Sequence, residues 1–196
     1  MCIRDRINIV LFGKPGAGKG TQAAFLKSQY QLFHLSTGDL FRYHINSLTD
    51  LGMLAKSYMN KGDLVPDQIT IDMLSDAVNE NLDAKGFIFD GFPRTTAQAD
   101  ALDTFLLNKS MSITATIALE AGDDVLIERL VNRGKTSGRV DDQDEIKIRN
   151  RFNEYNNKTA SLKSFYTAQG KFYSVNGIGS VEEITKRLTG LIDGLL

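Results

Sequence analysis

Cysteine is almost missing from this 196-residue chain. Cys2 stands alone, which excludes an internal disulfide and any zinc centre built on several cysteines, because both need partners. Histidine is nearly as scarce. His34 and His44 are the only two, and neither has the carboxylate or cysteine neighbours in sequence that mark a ligand set or a triad, so both read as structural. Neither sign of charge prevails: 23 Lys and Arg face 24 Asp and Glu, leaving a net charge of −1. Nothing in that balance calls for nucleic acid or an anionic membrane, and any anion site must come from local clustering. No apolar run approaches a membrane span, and no segment has the charged start, apolar middle and small-residue end of a signal peptide. The chain therefore reads as cytoplasmic. The opening MCIRDR, residues 1–6, reads as the translated adapter of a sequencing library, a non-native leader without a function of its own. With 42% hydrophobic residues, the remainder can bury one good core, so one domain is expected.

The most informative stretch is GKPGAGKGT, Gly13 to Thr21, directly after the apolar run Ile7 to Phe12. A strand ending in a glycine-rich loop that restarts as a helix leaves backbone N–H groups aimed at one point, with the positive end of the helix dipole behind them. The spacing Gly13, Gly18, Lys19 fits a phosphate-binding loop in which the lysine reaches the outer phosphates. Gly20 stands where the usual pattern has Ser or Thr, and the hydroxyl comes one place later on Thr21. A plain Gly/Pro connection is the competing reading, but the strand before and the helix-forming QAAFLKSQY after favour a nucleoside-triphosphate site.

Apolar, β-rich runs recur at Ile7–Phe12, Leu32–Leu35, Phe87–Phe89, Ile113–Leu119 and Phe172–Val175, with helical periodicity between them. Alternation of this kind predicts an α/β fold, a five-stranded parallel sheet flanked by helices. Ala101, Leu102, Phe105 and Leu106 form one apolar stripe, and Leu126, Ile127, Leu130 and Val131 another. Ser36 with Asp39, and Ser180 with Glu183, have the spacing of capping boxes. Two segments fit the alternation badly. The stretch between the second and third strands reads as three short helices broken near Thr49 and at GDLVPD, too long for a simple crossover. After a helix expected to end near Arg133 comes the polar loop GKTSGRVDD. Both have the character of mobile covers over a phosphate site.

In order along the chain, GKPGAGKGTQ, LSTGDLFR, LVPD, FDGFPRTTAQ, RLVNRGKTSGRVDDQ and NRFNEY resemble the adenylate kinase family, from Ile7 to near the C-terminus. The resemblance implies a P-loop NTPase type of molecule in three parts: a core of residues 7–35, 66–132 and 143–196, a nucleoside-monophosphate-binding (NMP-binding) insertion at 36–65, and a lid at 133–142. It implies reversible transfer between ATP and AMP, giving two ADP, in a monomer without nucleic acid or membrane partners. Long-lid members of the family carry a metal-binding insertion where this chain has only GKTSG, so the lid is expected to be short and free of zinc.

Transfer between two polyphosphates gathers negative charge in a site that must exclude water, and planar, permanently charged arginines suit it. By resemblance, Arg42 and Arg94 hold the AMP phosphate, Arg129 and Arg133 serve the ATP side, and Arg139 and Arg151 bridge both when the lid closes. With Lys19, the residues Arg94, Arg129, Arg133, Arg139 and Arg151 make the expected catalytic set; Arg149 maps onto no essential role. ATP is expected at Gly16, Ala17, Gly18, Lys19, Gly20, Thr21 and Gly179 besides Arg129 and Arg133. AMP is expected at Thr37, Gly38, Arg42, Leu64, Val65, Gly91, Arg94, Gln98, Arg139 and Arg151. Asp90, closing the strand of FIFDG, together with Thr21 is expected to anchor the waters of a magnesium ion bound with ATP. Asp141 and Asp142 are expected to act in lid closure, although Asp141 with Asp144 also makes a plausible helix start. No general base is needed, because the attacking phosphate oxygen is already anionic.

Gln98 has two readings. Its amide can pair with the exocyclic amine and a ring nitrogen of adenine, as the resemblance favours, or Thr95 and Gln98 can simply cap a helix. A UMP/CMP kinase and a catalytically inactive nucleotide-binding relative are the competing functions. A switch GTPase is disfavoured because NKSM at Asn108 lacks the aspartate of the guanine-reading N-K-x-D motif.

Overall fold

A computed structural model describes residues 6–60 and 63–196. Most of the leader, and Gly62 at the head of GDLVPD, lie outside the described residues. Five strands, β1 (Ile7–Phe12), β2 (Phe33–Ser36), β3 (Gly86–Asp90), β4 (Ala115–Glu120) and β5 (Phe172–Asn176), form one sheet in the order β2-β3-β1-β4-β5. Every pairing is parallel. The α/β, five-stranded parallel architecture expected from the alternating runs is present.

Alternation along β1 assigns its two faces. Ile9 and Leu11 join Ile88, Ile117 and Leu119 beneath α1 (Lys19–Tyr30) and α9 (Val181–Asp193), through Leu26, Leu188 and Ile192. Val10 and Phe12 point the other way, into a cluster with Phe87, Phe89, Leu102, Leu106, Leu162 and Tyr166. Both faces are thus buried, as a parallel sheet requires. Of the two predicted stripes, Leu102, Leu106, Leu126 and Leu130 are buried, while Val131 is 37% exposed and falls outside the packed face.

The long crossover from β2 to β3 is three helices, α2 (Thr37–Asn46), α3 (Asp50–Met59) and α4 (Asp67–Asn79). Thr49 caps α3 by accepting from the Gly52 N–H at 3.0 Å, which is the break predicted there. Phe41, Ala55, Val65 and Met73 form a small core of their own in this region. Helix α5 (Thr96–Leu107) follows β3 and packs on the same face as α4, while α6 (Asp123–Ser137) follows β4 and packs on the face of α1 and α9. Helix α6 runs past Arg133, where the sequence suggested an end, and stops at Gly138 with φ 67. Gly134 is no stop signal: a Cβ there would lie 2.6 Å from the Asp142 carbonyl oxygen, so glycine serves close packing inside the helix. A 3-10 turn at Val140–Asp142 leads into α7 (Glu145–Glu154), a π-helical turn at Tyr155–Thr159, and α8 (Leu162–Ala168). Asp144, not Asp141, caps α7, accepting from the Ile146 N–H at 2.8 Å.

Because all strands run the same way, their C-terminal ends open on one edge, where ligands of such sheets bind. That edge carries the Gly13–Gly18 loop after β1, Thr37 after β2, Gly91 to Arg94 after β3, and the 177–180 segment after β5.

Candidate active site

Helix α1 begins without a side-chain cap. Its N-cap Gly18 is left-handed at φ 92, a conformation glycine adopts freely, and no side chain accepts from the first-turn N–H groups. Lys19 folds back over the loop, donating to the Gly13 carbonyl at 2.8 Å and the Lys14 carbonyl at 3.2 Å. Removal from water lowers its pKa to about 8; Asp90 opposes this, while Arg94, Arg151 and Arg133 push in the same direction. Lys14 ties this loop outward, with its ammonium 2.7 Å from Asp123 Oδ1 at the head of α6 and 5.4 Å from the Phe152 ring centroid of α7.

Two cavities meet at Lys19. One is lined by Gly16 to Thr21, Asp90, Arg129, Arg133, Arg139, Arg151 and Gly179. The other is lined by Thr37, Phe41, Leu64, Val65, Gly91 and Gln98. Arg42, Arg94 and Arg151 border both. The expected ATP-side residues line the first space and the expected AMP-side residues the second, except Arg139, which borders only the first.

Within the cleft the arginines are held by carboxylates and carbonyls. Asp142, fully buried, accepts from Arg133 Nε at 2.6 Å and Nη2 at 3.0 Å, and from Arg151 Nη1 at 2.7 Å. Burial alone would raise its pKa, but the hydrogen bonds and charges of Arg133 and Arg151 hold it below the usual carboxylate range. Arg151 also meets Asp141 at 2.9 Å. Arg139 lies 3.5 Å from Asp39 Oδ1, to which Arg42 also bonds. Arg94 donates from Nε to the Gly91 carbonyl at 2.7 Å, and its pKa is lowered to about 10, by burial first and then by the charge of Arg151. Arg129 reaches the Gly177 carbonyl at 3.1 Å, beside Gly179. Arg149 stays on the surface with Glu145.

Thr37 donates to the Gly91 carbonyl at 3.0 Å, and a Cβ at Gly38 would meet Arg42 Nη2 at 3.0 Å, so both fix the floor beneath the arginines. Asp90 is 9% exposed. Its Oδ2 lies 3.5 Å from His34 Nε2, which corrects the reading of His34 as lacking a carboxylate neighbour: the partner arrives through the β2–β3 pairing, not through sequence proximity. Gln98 makes the bonds of the capping reading. Its backbone N–H donates to Thr95 Oγ1 at 3.2 Å, completing the cap, while its side chain, which borders the cavity, accepts from the Arg94 backbone N–H and donates to Asp67, which lies behind it. Sequence reasoning missed Asp67, Tyr155 and Thr159. Thr159, brought inward by the π-helical turn, donates to the Arg94 carbonyl at 2.9 Å. Among the described residues no cluster of three or more His, Cys, Asp or Glu is placed to hold a metal.

A parallel sheet with an uncapped glycine loop at its C-terminal edge, a lysine folded over that loop and arginines converging from beyond it define a P-loop nucleotide-binding protein. The profile of the adenylate kinase family matches residues 11–171. The chain is 66% identical over 189 residues to "Adenylate kinase" of Flavobacterium psychrophilum, covering 96% of this chain and all of the relative. It is 60% identical to that of Flavobacterium johnsoniae with the same coverage. To the "Adenylate kinase" of Porphyromonas gingivalis it is 43% identical over 187 residues, 95% of this chain and 96% of the relative. The chain belongs to the adenylate kinase family and is a nucleoside monophosphate kinase, a phosphotransferase.

Proposed function

We propose that the enzyme transfers a phosphoryl group reversibly between ATP and AMP, giving two ADP, as a cytoplasmic monomer that maintains adenine nucleotide balance. The observation that carries this reading is the pair of cavities meeting at Lys19, with Arg42, Arg94 and Arg151 bordering both. One space has the uncapped helix start for a triphosphate, the other an apolar wall of Phe41, Leu64 and Val65 for a second base.

In this scheme the Gly16–Thr21 backbone and Lys19 hold the β- and γ-phosphates of ATP, Arg129 and Gly179 serve the ATP side, and Arg42 and Arg94 hold the phosphate of AMP. Asp142 and Asp141 release Arg133 and Arg151 to the nucleotides as the 133–142 segment closes with Arg139. The transferring group then sits among cations in a site sealed from water, and its spreading charge is met without rearrangement of solvent. Asp90 and Thr21 fit a magnesium ion held through water, since both border the loop cavity and a Cβ at Gly20 would lie 3.6 Å from Asp90 Oδ2. The ion, when bound with ATP, would neutralise phosphate charge.

Coupled measurement of ADP formation from ATP with AMP, CMP, UMP or GMP tests the assignment. AMP is expected as the best acceptor. Faster turnover of CMP or UMP would make the chain a pyrimidine nucleotide kinase, and no turnover of any would make it an inactive relative.

A further inference from the structure

Gln98 has its amide fixed at both ends. Its Oε1 accepts from the backbone N–H of Arg94 at 2.7 Å, and its Nε2 donates to Asp67 Oδ1 at 2.7 Å. The other oxygen of the same carboxylate, Oδ2, accepts from the Thr95 hydroxyl at 2.9 Å. A glutamine amide is almost symmetric in shape, so its direction is set by what its neighbours require. Here both require the same one: a backbone N–H can meet only the oxygen, and a carboxylate only the NH2. Turning the amide over would set donor against donor and acceptor against acceptor, and Gln98 is 2% exposed, so water offers little compensation.

Each bond uses half of what its atom offers, leaving one lone pair on Oε1 and one N–H on Nε2 for a ligand. We propose that Asp67 is a positioning residue that sets base specificity: by fixing the direction of the Gln98 amide it makes the acceptor cavity take a 6-aminopurine and refuse a 6-oxopurine. The inference rests on Gln98 as the reader of the acceptor base. A 6-aminopurine presents a donor, its exocyclic amine, beside an acceptor ring nitrogen, and these match the free lone pair and free N–H in two places. A 6-oxopurine presents the reverse, an acceptor oxygen beside a ring N–H. It would match only a turned amide, which Asp67 and the Arg94 N–H forbid. A buried site built around such a pair rejects the mismatched analogue strongly, because its own polar groups are left facing like poles. Asp67 itself does not line the cavity, so its effect passes through Gln98. It stands in the first turn of α4, directly after the Leu64 and Val65 wall, where the same short stretch shapes the cavity and orients its reader.

Initial rates with AMP and with inosine monophosphate, at saturating ATP, test this in wild type, Asp67→Ala, Asp67→Asn and Gln98→Ala. Wild type is expected to favour AMP strongly. Asp67→Ala is expected to lower the AMP-to-inosine-monophosphate ratio of kcat/KM at least tenfold while leaving KM for ATP unchanged. Asp67→Asn, which keeps an acceptor oxygen, restores most of that ratio. Should the alanine variant fail to fold, Asp67→Ser, too short to reach the amide and favoured near a helix start, takes its place with the same expected outcome. A variant that loses activity on both acceptors equally, or loses only stability, overturns the proposal. Gln98→Ala separates the two levels. If it keeps the AMP preference, Gln98 does not read the base and both readings fall. If it abolishes the preference while Asp67→Ala keeps it, the base reading stands and the role of Asp67 alone is wrong.

Discussion

The base cavity and the phosphate seam are organised on opposite terms. Around Gln98, Asp67, Thr95 and the Arg94 backbone, donors and acceptors are matched within the protein, and direction is settled before any ligand arrives. Along the seam, Lys19, Arg42, Arg94, Arg133, Arg139 and Arg151 face carboxylates that only partly offset them, and Lys19 and Arg94 both have their pKa values lowered. Shape and polarity can be fixed in advance because a base is neutral. Phosphate charge cannot be, because cations held together without it repel one another. On the proposed reading, the difference teaches that specificity is stored as finished hydrogen bonds and catalytic power as an unfinished charge balance.

The sharpest way to break that contrast is Lys19→Met. A cation at the phosphate loop contributes to charge development in the reacting state, so the turnover number is expected to fall at least a hundredfold, or about 3 kcal/mol. Its lowered pKa means the folded protein bears a cost in holding the charge, so thermal melting is expected to be unchanged or slightly raised. A variant with near-normal turnover and a large drop in Tm would reverse the comparison.

Asp142→Asn acts next. It removes the carboxylate from between Arg133 and Arg151, and the unliganded protein is expected to lose about 2 kcal/mol of stability, discounted because the arginines remain partly exposed. Since the native Asp142 pKa is depressed, the wild-type contribution is present at neutral pH and disappears as pH falls through the native value, below the ordinary carboxylate range. ATP with AMP, or a two-headed adenosine polyphosphate, is expected to recover most of the loss in a melting assay, because phosphates replace the missing charge. Failure of ligand to recover it would mean that Asp142 is a purely structural ion pair.

The smallest effect is a proton. With Lys19 near 8, the ligand-free ammonium is partly neutral at pH 8.5, and a bound phosphate raises its pKa and recharges it. ATP binding at that pH is expected to take up a fraction of a proton, visible by calorimetry in buffers of different ionisation enthalpy. In the unliganded protein the same shift makes the unfolded state hold more protons between about 8 and 10.5, so this group's contribution to stability rises with pH across that window. Binding heats independent of buffer would show that the charge is already complete without ligand.

Much of this was legible in the sequence. All five strands fall within two residues of the apolar runs; the central β1, β3 and β4 are buried on both faces and so write themselves as continuous hydrophobicity, while the edge strands β2 and β5 are only partly buried. The phosphate loop was legible for a similar reason, as its glycines, lysine and following helix are adjacent in the chain. What escaped depends on separation. Asp67 meets Gln98 across 31 positions, Thr159 meets Arg94 across 65, and His34 meets Asp90 only through the register of β2 on β3. The extension of α6 past Arg133 has another cause: Gly134 lies inside the helix, where it accommodates the backbone of Asp142.

That last glycine bears on which sequences this enzyme can accept. Two glycines frame GKTSG and look alike on the page. At Gly138 an added Cβ would meet nothing within 4 Å, so only its positive φ resists replacement, and an asparagine could tolerate it. At Gly134 even a single methyl would strike the main chain of Asp142 and push away the carboxylate that steadies two arginines. Variation in this stretch is thus permitted at the tip and forbidden at the base, and a position that resembles loop filler is among the least interchangeable in the chain.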